Sequence, residues 1–82
     1  MATKLDLSYR VFQNGKRTHK EFIGAMAEFD NAFDKLKTHI AKSYPAINEA
    51  QITNERKQPD IGSWEVQMQT GDLVFMLDMD KI

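Results

Sequence analysis

The chain has 82 residues, 41% hydrophobic and 28% charged, which suits one small folded domain over residues 1–82 and does not suit a disordered tail. Eleven Lys+Arg against twelve Asp+Glu leave a net charge of -1, so no overall field draws the protein onto nucleic acid or an anionic membrane. Cysteine is absent, which excludes disulfides, thiol chemistry and cysteine-ligated metals, and fits a cytoplasmic setting.

The opening segment MATKLDLSYR lacks the apolar stretch of a signal peptide. It leads into a clean alternation. Leu5, Leu7, Tyr9 and Val11 take one side, and Lys4, Asp6, Ser8, Arg10 and Phe12 the other, which predicts a half-buried strand. Asn14-Gly15 marks a turn. Because Lys16 to Lys20 are too polar for an obvious partner strand, the turn is expected to lead into a helix rather than close a hairpin.

Thr18 and Glu21 have the spacing of a capping box, and Glu21 would complement the helix dipole. Phe22, Met26, Phe29, Phe33, Leu36 and Ile40 then recur at steps of 4, 3, 4, 3 and 4, the spacing of one long amphipathic helix. Pro45 ends it and biases Tyr44 away from helical geometry.

Ala50 to Glu55 reads as a weak strand, and Asn54 to Gln58 with Pro59-Asp60 and Gly62 as an exposed connection. Trp64, Val66 and Met68 alternate with Glu65, Gln67 and Gln69 as another half-buried strand. Thr70-Gly71-Asp72 turns the chain into a last strand with Leu73, Phe75, Leu77 and Met79 on its apolar face. The longest apolar run, Leu73 to Leu77, is far shorter than the ~20 residues of a spanning helix. The fold class expected from this order is α+β: a two-layer sandwich with the long helix on a three- to four-stranded, mostly antiparallel sheet, in the order β-α-β-β-β.

Catalytic chemistry finds little purchase. Placed at opposite ends of a twenty-residue helix, His19 and His39 would lie ~30 Å apart and share no metal. Ser8, Ser43 and Ser63 sit in no nucleophile motif, and the four glycines form no phosphate-binding loop. Asp72, Asp78 and Asp80 make a thin cation site at best, and read as charges that protect an edge. The expected protein has no catalytic residue, no metal and no cofactor.

The sheet face turned away from the helix is more informative. There Val74 and Met76 are apolar where polar residues are expected, with Phe12 in the same layer and Arg10, Glu65 and Asp78 around them. Such an apolar spot with a charged rim suits contact with a protein. A single aromatic among acids is the wrong platform for stacking nucleic-acid bases. Binding is therefore expected through Arg10, Phe12, Glu65, Val74, Met76 and Asp78. The alternative is a homo-oligomer assembled through the weak strand near Ala50 to Asn54, or through the helix stripe read as a seam.

Over residues 4 to 69 the strand Leu5-Asp6-Leu7-Ser8-Tyr9, the histidine His19, the helical Glu28-Phe29-Asp30 and the string Gly62-Ser63-Trp64-Glu65-Val66 form a pattern. It resembles the N-terminal α+β domain of uncharacterised phage, prophage and bacterial proteins, in which Gly-Ser-aromatic-acid-aliphatic opens a strand. Such proteins continue well beyond that strand, so the resemblance implies a free-standing small version or a fragment. It implies no catalytic residues. It also implies a mobile-element setting, in which the protein would bind and inhibit a host complex such as a defence nuclease.

Overall fold

A computed structural model describes residues 4–24 and 27–81. β1 (Lys4–Gln13) turns into β2 (Lys16–Phe22), and a two-residue β3 (Ala27–Glu28) precedes helix α1 (Phe29–Ala41). A short 3-10 helix (Pro45–Glu49) leads to β4 (Gln51–Gln58), β5 (Ser63–Thr70) and β6 (Leu73–Lys81). The long strands form one antiparallel sheet in the order β2-β1-β6-β5-β4, with β3 paired to β1 beyond the end of β2.

This corrects the expected fold class. The sheet has five long strands rather than three or four, and the order β-α-β-β-β fails because a strand stands where the helix was to begin. Asn14 and Gly15 adopt φ 53° and 80°, so both central residues of the turn are left-handed and the turn twists in the sense that paired strands require. The hairpin therefore closes, with Gln13 opposite Lys16. An edge strand needs hydrogen bonds on one side only and no apolar face, so β2 can be polar. The hydroxyl of Thr18 caps no helix; it donates to the Val11 carbonyl at 3.3 Å, where the register shifts. Similarly, Asn54 to Gln58 belongs to β4 and is not a loop.

The helix is thus confined to 13 residues, and its start at Glu28 has no side-chain cap. Ala32, Leu36 and Ile40 are buried against the sheet, while Phe29 and Phe33 pack half-buried beside them. The stripe from Phe29 onward faces the core. Phe22 is 67% exposed on β2, and Met26 lies outside the described residues. Pro45 opens the 3-10 helix, and Tyr44 before it takes φ -132°, as expected of a residue preceding proline.

The core is formed by Leu5, Leu7, Tyr9 and Val11 of β1, Trp64, Val66 and Met68 of β5, and Phe75, Leu77 and Met79 of β6. The helix residues and Ile47 cover them. Each such aliphatic side chain contributes roughly 1.5–3 kcal/mol on full burial. Trp64 closes one end, stacked on Phe29 with ring centres 5.4 Å apart, and its indole N–H donates to Glu55 at 2.8 Å. Lys57 stands over the same indole at 4.3 Å, so the polar strand β4 is pinned to the core through one tryptophan.

Candidate functional site

The helix and the 3-10 turn cover one face of the sheet. The strand register lays out the other. Ser8, Asp78, Glu65 and Arg56 form one row across β1, β6, β5 and β4, and Phe22 extends it on β2. The next row is Lys20, Arg10, Met76, Gln67 and Asn54. The one after it holds Arg17, Phe12, Val74, Gln69 and Gln51.

All six residues expected to bind, Arg10, Phe12, Glu65, Val74, Met76 and Asp78, therefore lie on this face in three adjoining rows. Phe12 is directly opposite Val74, and Arg10 directly opposite Met76. These apolar side chains are half-buried, flanked by one another rather than by a covering layer. Arg10 donates to Asp78 at 3.4 Å across the diagonal, with both side chains partly open to solvent (35% and 24%). Around them is a shallow depression of about 110 Å³, lined by Arg10, Asn54, Arg56, Glu65, Gln67, Met76 and Asp78.

Charge on this face is unevenly spread, with Arg56 on β4 standing beside Glu65 at the far edge. Asp78 and Glu65 are direct neighbours, as are Asp6 and Asp80 in the row beyond. Cations gather on the β2 side, in Arg10, Lys20 and Arg17. Partial burial pushes the Asp78 carboxyl above its usual range; Arg10 opposes the shift, and Glu65 and Asp80 reinforce it. Ser63 donates to Asp80 at 3.0 Å, so its hydroxyl is committed to the acidic end. Sequence reasoning missed the β2 contribution, Arg17, Lys20 and Phe22, because it placed Arg17 in the turn and Lys20 and Phe22 on a helix.

A second constellation joins the opposite face to the helix. Glu21, next to Tyr9 on β2, accepts from the Tyr9 hydroxyl at 2.9 Å. The same carboxylate oxygen lies 3.1 Å from Nε2 of His39 and 3.9 Å from Nε2 of His19. The ~30 Å separation expected of the two histidines is thus overturned: one sits on β2 and the other on α1, and the fold brings both to Glu21. The His39 and Tyr9 hydrogen bonds hold the Glu21 carboxyl below its usual range. Burial, and next the adjacent carboxylate, push the Tyr9 phenol well above its usual range. Among the described residues, no group of three His, Cys, Asp or Glu is disposed to hold a metal ion. The cluster ties β1, β2 and α1 together.

No family model matches the chain, no curated protein matches it, and no solved structure matches it. No helix among the described residues is long and apolar enough to cross a membrane.

Proposed function

We propose that the protein is a small interaction module that acts by occupying the surface of a partner protein, without catalysis, through its uncovered sheet face. The observation that carries this reading is the strip Phe12, Val74 and Met76 on a face that no element among the described residues covers, set between cations on one side and carboxylates at one end. An apolar centre with a charged rim excludes water from the contact while the rim selects the partner. The charge pattern defines that partner in turn. It presents an apolar side chain to Met76 and Val74, acidic groups toward Arg17 and Lys20, and a basic group toward Glu65 and Asp80.

The test compares capture of a stoichiometric partner by the native chain, by a Met76→Arg/Asp78→Lys variant and by an Asn31→Arg control. Asn31 is exposed on the helix, on the covered side of the sheet. With folding verified by circular dichroism, the reading expects capture to be lost only in the double variant. Retention by the double variant would remove this face from consideration.

A further inference from the structure

The sheet ends in two free edges of different electrostatic character. β2 carries Lys16, Arg17 and Lys20 against a single acid, Glu21, so two copies of that edge repel each other. β4 is exposed along nearly its whole length and carries both signs, with Glu55 and Lys57 two residues apart on one face and Arg56 between them on the other. A charged edge ordinarily blocks pairing. A mixed edge blocks most registers and admits those in which its charges meet.

We propose that β4 is the seam of a homodimer, in which two β4 strands pair antiparallel about a two-fold axis passing through Arg56. Glu55 then stands directly opposite Lys57 of the partner subunit, twice by symmetry, and Asn54 opposite Gln58 of the partner subunit. Neighbouring registers fare worse. Centring on Glu55 or Lys57 also sets one like-charged pair at the axis, but with no opposite-charge pair beside it to offset the repulsion. Centring on Asn54 brings the irregularity between Ile52 and Asn54 into the seam, and centring on Gln58 brings in Pro59, which has no amide to donate. The Arg56 pair at the axis is flanked on each side by Glu65, its direct neighbour on β5.

A second observation supports the same register. Among the described residues three large hydrophobics are exposed, and two of them lie near the two ends of this strand: Ile52 at 48% and Ile61 at 59%. The two-fold at Arg56 brings Ile52 of one copy beside the turn that carries Ile61 of the partner subunit, at both ends of the seam. The resulting sheet is continuous, and its uncovered face stays open, so this inference stands or falls independently of partner docking.

The chain contains no cysteine, which makes cross-linking decisive. Arg56→Cys places two thiols directly opposite each other at a spacing a disulfide accepts, whereas Asn54→Cys places them about 14 Å apart. Sedimentation of the native chain is expected to show a dimer, and mild oxidation to link Arg56→Cys at least tenfold faster than Asn54→Cys. Glu55→Lys and Lys57→Glu should each weaken the dimer roughly thirtyfold, and an equimolar mixture of the two should restore it, because each reversal complements the other. A native chain that stays monomeric at roughly 1 mM overturns the proposal. Equal cross-linking rates for the two cysteine variants also overturn it. So does a mixture of the two reversals no tighter than either alone.

Discussion

Nε2 of His39 lies 3.1 Å from Oε1 of Glu21, although eighteen positions separate them in the chain and they belong to a helix and an edge strand. This contact holds the outer hairpin strand to the helix, and it makes part of the stability depend on acid. The carboxyl titrates below its ordinary value of 4.5 in the folded protein. Its contribution is therefore fully present above pH 4.5 and is lost as pH falls through the lower, folded value. Denaturant melts between pH 7 and pH 2.5 should show the native chain losing more stability than Glu21→Gln over the acid end of that range. Parallel pH profiles would show that the contact contributes nothing.

Tyr9 is buried to 1% exposure, with its hydroxyl on the same carboxylate. Tyr9→Phe keeps the ring packing and removes one hydrogen bond to a charged group. The expected loss is about 1–2 kcal/mol at neutral pH, shrinking once Glu21 is protonated. A loss independent of pH would assign the effect to packing instead.

Asp78 behaves in the opposite sense. Its folded pKa is raised above 3.8, so the folded state binds its proton more tightly, and the ionised group detracts from stability as pH rises from 3.8 through the folded value. Relative to the native chain, Asp78→Asn should gain stability progressively over that interval. A stability difference that moves the other way with pH would mean that the Arg10 pair outweighs burial.

Gly62 ends the turn before β5 at φ +69°, and a Cβ there would stand 2.8 Å from Cβ of Lys81. Its carbonyl accepts from the Lys81 amide at 2.7 Å, which keeps the end of β6 close. Gly62→Ala combines left-handed strain with that clash and should cost about 2 kcal/mol or more by thermal melting. A change within about 0.5 kcal/mol would mean that the turn relaxes freely.

Phe22 separates the expected helix from the observed strand. As the first residue of a buried helical stripe, its replacement would cost several kcal/mol; exposed on β2, Phe22→Ser should change stability by about 0.5 kcal/mol or less. A large loss would restore the longer helix.

The elements that were legible in the sequence are those with one buried face. β1, β5 and β6 alternate because the core takes every second side chain, so their apolar residues, the turn at Gly71 and the residues of the open face could be read directly. The two edge strands left no such trace. KRTHKEF and QITNERKQ are held by a neighbour's backbone and by a few side-chain contacts, such as Tyr9 and His39 to Glu21 and Trp64 to Glu55, that no local pattern announces. The spacing from Phe22 through Ile40 is helical throughout, yet two turn residues in left-handed conformation closed a hairpin and sent Phe22 to the surface. Asn14-Gly15 was the usable signal, and the charge of the following residues outweighed it only if β2 had needed a buried face.

The central claim is that a partner binds on the uncovered sheet face, and site-specific photo-cross-linking tests it most directly. A photoreactive residue at Gln67, in the middle of that face, should capture the partner, and one at Asn31 on the helix should not. Capture from Asn31 with none from Gln67 would contradict the account and move the docking surface to the helical side.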